Sequence, residues 1–188
     1  MEENKYEKKI VTIPNALSVV RLLLLPVIFW LYCVKEEPIW TAVAMVLSGV
    51  TDLADGYIAR HFHMISNLGK ILDPIADKLT QGVVMLCLVV KFPLMLLPLI
   101  ALIVKDTLNG VLGLLVIRKT GKVYGADWHG KINTCVIYAT MMLHILWIHI
   151  PTIVSRVSIG VCLGMMALSM VLYIVKNVKL LRAAKEKE

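Results

Sequence analysis

Residues 52–77 read DLADGYIARHFHMISNLGKILDPIAD, a stretch in which four aspartates interrupt otherwise largely apolar sequence. Asp52 and Asp55 are three residues apart, and Asp73 and Asp77 are four apart, so each pair shares one face of a helix. A short loop joins the two predicted helices, which brings both pairs to the same end. Acids in apolar segments are costly unless they are paired, so the pattern predicts a functional site.

The acids of the chain are distributed unevenly. All seven glutamates lie in the terminal segments or in the turn that follows the first apolar segment, and Asp127 alone of the six aspartates lies in a polar loop. Four carboxylates at one place favour hard divalent cations, which take oxygen ligands. The alternative is that each aspartate pairs with a nearby cation, for which the candidates are Arg60, Lys70 and Lys78.

The composition on either side of this stretch indicates a membrane protein. Hydrophobic residue types make up 59% of the 188 residues, compared with about 45–50% in ordinary soluble domains, and charged types make up 18%. A mean hydropathy of +0.78 disfavours disorder, coiled coil and nucleic-acid binding, although the net charge is +7. The four cysteines lie far apart in apolar segments, so neither a disulfide framework nor a zinc site is predicted.

Six segments are apolar and long enough to be predicted as membrane-spanning helices, which need about 20 residues. They are residues 15–34, 38–60, 71–90, 93–117, 132–149 and 152–175. Residues 1–12 are charged and form a cytoplasmic segment with no cleaved signal peptide, and 176–188 form a basic tail that we expect to lie on anionic lipid. No second domain is predicted within residues 1–188.

Positive charge predicts the orientation. With the N-terminus inside, fourteen Lys and Arg residues fall on the inner side, whereas only Lys35 and Lys91 fall on the outer side. Cytoplasmic loops of membrane proteins carry this excess of cations. Both termini are therefore predicted to be cytoplasmic, in a multi-pass protein of the cell membrane.

The stretch 52–77 fits the pattern D-x2-D-G-x2-A-R-x8-G-x3-D-x3-D at all eight fixed positions. It resembles the signature of the CDP-alcohol phosphotransferase family, integral membrane enzymes of phospholipid synthesis. The resemblance implies an all-α membrane fold of six transmembrane helices, with a polar active-site cavity that faces the cytoplasm. It also implies a substrate, CDP-diacylglycerol, from which a phosphatidyl group passes to an alcohol while CMP leaves.

The resemblance also implies roles for individual residues. Two divalent ions, Mg²⁺ or Mn²⁺, would be bound by the motif acids Asp52, Asp55, Asp73 and Asp77. Asp77 would in addition be the base that takes the proton of the acceptor hydroxyl. Upstream, residues 13–21 (IPNALSVVR) resemble the family element N-x2-[ST]-x2-R that starts the first helix. The residues implied to contact CDP-diacylglycerol are Asn15, Ser18, Arg21, Gly56, Arg60 and Ser66.

The acceptor alcohol is less clearly marked. The IPN element, the compact length and GK-x-x-T at residues 130–134 resemble bacterial phosphatidylglycerophosphate synthases, whose acceptor is glycerol 3-phosphate. Gly113 and Asn133 stand where those enzymes often carry cations, and this favours the alternative of a CDP-alcohol type of cardiolipin synthase acting on phosphatidylglycerol. We place glycerol 3-phosphate first. The predicted acceptor-phosphate residues are Lys105, Arg118 and Lys131, although Arg118 is equally explained as an ordinary inner-loop cation.

Two further features leave alternatives open. Gly160 and Gly164 permit close helix contact, which suits either the homodimer common in this family or a seam within one subunit. An acidic site in a membrane also suits a transporter of metal ions, but transport acids usually lie near the middle of the membrane at broken helices. The acids here cluster at one cytoplasmic end beside an arginine and glycines. An enzyme is therefore predicted, with CDP-diacylglycerol, a glycerol-based acceptor and membrane lipids as partners and without nucleic acid.

Overall fold

The computed structural model describes residues 13–61, 69–121 and 128–185, and these residues form helices and no strands. The α-helices are α1 (Ile13–Phe29), α2 (Pro38–His61), α3 (Gly69–Lys91), α4 (Leu96–Thr120), α5 (Trp128–Leu146) and α6 (Thr152–Lys185). A π-helical turn (Trp30–Val34) extends α1, and a 3₁₀ turn (Pro93–Met95) precedes α4. The predicted all-α fold is confirmed, and each predicted apolar segment coincides with one helix. The N-terminal segment 1–12 lies outside the described residues.

Three of the helical segments are long and apolar enough to cross a membrane by length and composition. They are Asn15–Val34, Pro93–Thr120 and Thr152–Ala184. Within the described residues, α2, α3 and α5 do not meet this criterion, since polar and charged side chains interrupt their apolar sequence. The passage of those three helices through a membrane, and the predicted cytoplasm-facing cavity, stay predictions.

The helices group into two compact units. The first comprises residues 1–87 with 145–148, and the second comprises 88–144 with 149–188. In the first unit α1 packs along α2, and in the second α4 packs along α6. Only three residues, 35–37, separate the π-helical turn from α2, and Glu36 adopts a left-handed backbone conformation with φ of 56° in this tight connection.

The buried face of α1 changes from polar to apolar along the helix. Its buried residues recur every three or four positions, which is the spacing of a single helix face. They are Asn15, Ser18, Arg21, Leu25, Ile28 and Tyr32, the last of which lies in the π-helical turn. On α2 the apolar part of the buried face precedes the polar part, with Met45 before Ser48 and Asp55. Because α1 and α2 run in opposite directions, the two polar parts meet.

Two polar pairs join α5 to α6 in the second unit. The ring nitrogen Nδ1 of His129 lies 3.4 Å from Ser169 Oγ, and Nε2 of His144 lies 3.0 Å from Ser155 Oγ. All four residues are buried. Buried polar groups require such partners, so these contacts align the two helices as well as holding them together.

The end of α4 and the length of α6 refine the predicted boundaries. Gly121 caps α4 with a φ of 66°, and its N–H donates to the carbonyl of Ile117 at 2.8 Å, the arrangement that favours glycine after a helix. At the other end of the chain, α6 continues to Lys185. The predicted basic tail from residue 176 is therefore helical as far as the structure describes it.

Gly130 is closely approached by α6. A Cβ atom at this position would lie 2.6 Å from the hydroxyl oxygen of Tyr173 and 3.4 Å from its ring carbons. The Tyr173 ring also packs edge-on against His129, with 4.6 Å between the ring centroids. This contact limits how far the ring can move away from position 130. The absence of a side chain at Gly130 thus leaves room for the Tyr173 hydroxyl.

We expect Gly130→Ala to lower the thermal unfolding temperature of the purified protein, because overpacking a fitted contact costs about 1–3 kcal/mol. The double variant Gly130→Ala/Tyr173→Phe should recover most of the loss, since the ring carbons alone leave an ordinary van der Waals contact. Gly110→Ala, on α4 of the same unit, is the matched control. Its new Cβ would meet no atom within 4 Å, and alanine favours the helix by about 1 kcal/mol.

The measurement is unfolding temperature in one detergent for all four proteins. Equal values for Gly130→Ala and Gly110→Ala would show that Tyr173 does not restrict this position.

Candidate active site

The polar parts of α1 and α2 form the centre of the candidate site in the first unit. Ser18 and Arg21 lie one helical turn apart on α1, and Asp52 and Asp55 lie one turn apart on α2. Because residues three apart share a face, each helix presents its two polar side chains together. The spacing seen in the sequence thus accounts for which side chains share a face, and the packing of α1 on α2 brings the two faces together.

Arg21 binds both aspartates of α2. Its Nη1 lies 2.6 Å from Asp52 Oδ1, and its Nη2 lies 2.5 Å from Asp55 Oδ2. The Arg21 side chain is 1% exposed and that of Asp55 is 3% exposed, whereas that of Asp52 is 44% exposed. The fork of a guanidinium suits two separate acceptors of this kind. One carboxylate of the site is therefore deeply buried against a cation, and the other remains open to solvent.

Ser18 connects the acids of α2 to those of α3. Its hydroxyl donates a hydrogen bond to Asp73 Oδ1 and also lies 3.5 Å from Asp55 Oδ2. Because Asp55 and Asp73 share this hydroxyl, the acidic pairs of α2 and α3 are near neighbours. Three helices thus contribute to one polar cluster, and we refer to Asp52, Asp55, Asp73 and Asp77 as the acidic cluster.

Asp77 is oriented by a residue that the sequence analysis did not select. Gln81 lies one turn further along α3, and its Nε2 donates to Asp77 Oδ2 at 2.9 Å. Gln81 is fully buried, so the amide holds this carboxylate in a fixed orientation. The signal was present in the sequence, because a glutamine four residues after an aspartate on a helix faces it.

The acidic cluster fits divalent metal ions by the chemistry of its donors. Every donor is a carboxylate oxygen, the ligand that Mg²⁺ and Mn²⁺ prefer. Among the described residues, however, no three acid, imidazole or thiol groups already converge as a metal site. Arg21 instead bridges the two carboxylates of α2, and Ser18 contacts both Asp55 and Asp73. Metal binding would therefore require these contacts to rearrange.

The sequence leaves open, as an alternative to metal binding, that each aspartate pairs with a nearby cation. The two aspartates of α2 do form ion pairs, but with a different cation. Asp52 and Asp55 pair with Arg21, not with one of the three cations considered as their partners. Lys78 has an exposed side chain, and the side chains of Arg60 and Lys70 lie outside the described residues. The predicted role of Arg21 at the nucleotide therefore has to be reconciled with its contact to the acids.

The structure describes the surroundings of only some of the other residues predicted to contact CDP-diacylglycerol. Asn15 is buried at the start of α1, one turn before Ser18. Gly56 and Arg60 lie on α2 just beyond Asp55, and the surroundings of both residues lie outside what the structure describes. Ser66 lies outside the described residues altogether. Asn15, Ser18 and Arg21 do share one helix face, as predicted.

The residues predicted to bind the acceptor phosphate all lie in the second unit. Lys105 is buried in α4, and its Nζ lies 3.4 Å from Asp106 Oδ1. Arg118 is exposed in the last turn of α4, and Lys131 is exposed in the first turn of α5. Asn133, one of the two positions at which the resemblance leads us to expect a cation, is 1% exposed. Neither atom of its amide has a hydrogen-bond partner within the described residues.

Comparison with known proteins agrees with the acidic motif. A family model described as CDP-alcohol phosphatidyltransferase matches residues 11–177, which include α1 to α5 and most of α6. The chain belongs to the CDP-alcohol phosphatidyltransferase family. Membership in this family removes the basis for the transporter alternative, and the resemblance seen in residues 52–77 is confirmed.

Individual family members give two different names. A CDP-diacylglycerol–glycerol-3-phosphate 3-phosphatidyltransferase of Rickettsia typhi is 40% identical over 81 residues, and one of Rickettsia bellii is 35% identical over 98 residues. A cardiolipin synthase (CMP-forming) of Streptomyces coelicolor is 42% identical over 76 residues. These matches cover 42%, 51% and 38% of the chain, and 46%, 54% and 35% of the relatives respectively. The chain thus matches about half the length of the Rickettsia proteins and about a third of the Streptomyces protein.

Proposed function

We propose that the protein transfers the phosphatidyl group of CDP-diacylglycerol to a hydroxyl of glycerol 3-phosphate, giving phosphatidylglycerophosphate and CMP. The observation that carries the proposal is the acidic cluster on α2 and α3. It lies in a stretch that fits all eight positions of the family pattern, and it contacts an arginine and a serine of α1. The Rickettsia relatives carry the name of this reaction.

The reaction exchanges one phosphorus–oxygen bond for another. The bond between the phosphatidyl phosphorus and the oxygen of CMP breaks, and a bond to the acceptor oxygen forms. Asp77 takes the proton of the attacking hydroxyl. The amide of Gln81 donates to Oδ2 of Asp77 and so keeps this carboxylate in place. Asp52, Asp55, Asp73 and Asp77 would hold two divalent ions, which when bound neutralise negative charge on the diphosphate. Asn15, Ser18, Arg21, Gly56, Arg60 and Ser66 bind the nucleotide and diphosphate.

The proposed location is the cell membrane, with both termini in the cytoplasm. Three helices long and apolar enough to span a membrane support a membrane protein, and the excess of inner cations supports this orientation. The proposed assembly is a homodimer, which native mass spectrometry of the purified protein can check. In its support, a Cβ at Gly160 or Gly164 would meet nothing within 4 Å, so no close helix contact inside the described subunit accounts for these two glycines.

Cardiolipin synthesis from phosphatidylglycerol is the second candidate function. Two observations favour it: the identity to the Streptomyces protein, and Gly113 and Asn133 at positions where cations would bind a second phosphate charge. Phosphatidylglycerol carries one negative charge, whereas glycerol 3-phosphate carries two near neutral pH. The first therefore needs fewer cations in its binding site.

Chelation of divalent metal should abolish the release of CMP from CDP-diacylglycerol. Excess EDTA is expected to remove activity, and Mg²⁺ or Mn²⁺ added beyond the chelator should restore it, because the acidic cluster cannot neutralise a diphosphate by itself. The control is EDTA already saturated with Mg²⁺, which should leave the rate unchanged. Full activity in excess free EDTA would refute the metal-dependent proposal.

Asp77→Asn should lower the rate of transfer by about 10²–10⁴, the usual loss when a general base is removed, or by more if a metal ligand is lost as well. Binding of CDP-diacylglycerol should change much less. Gln81→Leu is the matched variant, since it keeps the carboxylate and removes the hydrogen bond at 2.9 Å. It should cost only about tenfold, the effect of one hydrogen bond to a charged group. Turnover of Asp77→Asn near that of the wild type would move the base to another residue.

The acceptor is identified by supplying labelled CDP-diacylglycerol with glycerol 3-phosphate, phosphatidylglycerol, inositol 1-phosphate or serine, and determining the product lipids by mass. We expect phosphatidylglycerophosphate. Lys131→Ala should then raise the KM for glycerol 3-phosphate far more than that for CDP-diacylglycerol, because it removes a cation that contacts only the acceptor.

Lys119→Ala is the control, since Lys119 is another exposed cation, in the last turn of α4, that is not assigned to the acceptor. It should leave both KM values unchanged. Formation of cardiolipin from phosphatidylglycerol, with glycerol 3-phosphate inert, would establish the second candidate function instead.

A further inference from the structure

Arg21 is held in the first unit by the carboxylates it contacts. Its side chain is 1% exposed, and its two terminal nitrogens lie 2.6 Å from Asp52 Oδ1 and 2.5 Å from Asp55 Oδ2. The third nitrogen, Nε, has no hydrogen-bond partner among the described residues. The orientation of the guanidinium therefore depends on the acidic cluster.

A cation is needed at this position when metal is absent. Asp55 is 3% exposed, and an ionised carboxylate that deep is costly without an opposite charge. Asp73 brings a further carboxylate to the same Ser18 hydroxyl that Asp55 contacts. Ser18 offers Asp55 and Asp73 a neutral hydroxyl, which satisfies a hydrogen bond but supplies no charge. Among the contacts described, Arg21 supplies the positive charge to α2.

We infer that Arg21 is the resident counter-ion of the acidic cluster, and that it competes with divalent metal ions for the same oxygens of Asp52 and Asp55. The inference rests on the proposed function for the assignment of those aspartates as metal ligands. Arg21 is thus a positioning residue in the metal-free protein, because it holds the two carboxylates of α2 in place until metal arrives.

Charge balance favours release of the arginine if two divalent ions are bound. Four ionised aspartates carry four negative charges, and two divalent ions carry four positive charges. With two divalent ions held by these aspartates, the guanidinium would be in excess at the cluster and would be repelled. Its planar set of donors then suits the diphosphate of the nucleotide, which brings additional negative charge. The contact with the acids and the predicted contact with the substrate are therefore two successive positions of one side chain.

The test is the affinity for Mn²⁺ in the absence of substrate, measured by the electron paramagnetic resonance signal of free Mn²⁺ during titration of the protein in nanodiscs. Arg21→Gln should bind Mn²⁺ about tenfold more tightly than the wild type, because the competing unit charge is removed. Arg21→Lys keeps the charge and should stay close to the wild type. Lys35→Gln removes a cation of the same unit that lies over the Trp30 ring, and should leave the affinity unchanged.

A second measurement covers the loss of the counter-ion in the metal-free protein. Arg21→Gln should unfold at a lower temperature than the wild type in EDTA, and Mn²⁺ should raise its unfolding temperature by more than it raises that of the wild type. If the variant does not survive EDTA, it can be purified with Mn²⁺ and its affinity measured by competition with a chelator of known strength.

The outcomes separate the inference from the proposed function. Tighter Mn²⁺ binding by Arg21→Gln, with a larger stabilisation by metal, supports the inference. Unchanged or weaker binding by this variant, while the wild type binds Mn²⁺ and releases CMP, overturns the inference and leaves the proposed function intact. A wild-type protein that neither binds Mn²⁺ nor releases CMP overturns both.

Discussion

The architecture of the first unit depends on one ion-paired contact between α1 and α2. Asp55 is almost fully buried, and Arg21 is the described residue that supplies its opposite charge. The polar halves of the two helices must therefore face each other, and the apolar halves follow because the helices are antiparallel. Ser18 then extends the same contact to α3 through Asp73. An acidic site in an apolar protein is stable only where such contacts are made, so site and fold are specified by the same residues.

Much of the fold could be predicted from the sequence because helix formation depends on local composition. The apolar segments between Lys35, Arg60 and Lys91 gave helices whose ends agree within a few residues with α2 and α3. The acidic pairs were also visible, since spacings of three and four place side chains on one helix face. What local pattern could not give is the contact between positions far apart. Ser18 and Asp73 are 55 residues apart in the chain, and nothing in either segment specifies that they meet.

The contacts that the sequence analysis missed differ in how far apart their partners lie in the chain. Gln81 was detectable, because it lies one turn after Asp77 on the same helix. The pairing of Arg21 with the acids was not, because the family pattern suggested a nucleotide contact and the pattern carries no information on a protein without substrate. The need for glycine at position 130 arises only from the hydroxyl of Tyr173, which is brought close by packing. The prediction of the metal ligands and of the acceptor residues depends on bound molecules and stays a prediction.

The uninterrupted course of α6 has a mechanical consequence. A helix of 34 residues is about 50 Å long at about 1.5 Å per residue, whereas the hydrocarbon part of a bilayer is about 30 Å thick. An α6 that stands perpendicular to the membrane would therefore extend beyond the apolar layer as a continuous helix. Because the helix is continuous, Tyr173 has a fixed angular position around the helix axis relative to three cations, Lys176, Lys179 and Arg182. Inserting a single residue after Val175 would swing these cations by about 100° around the helix axis, away from the direction in which the packed part of α6 aims them.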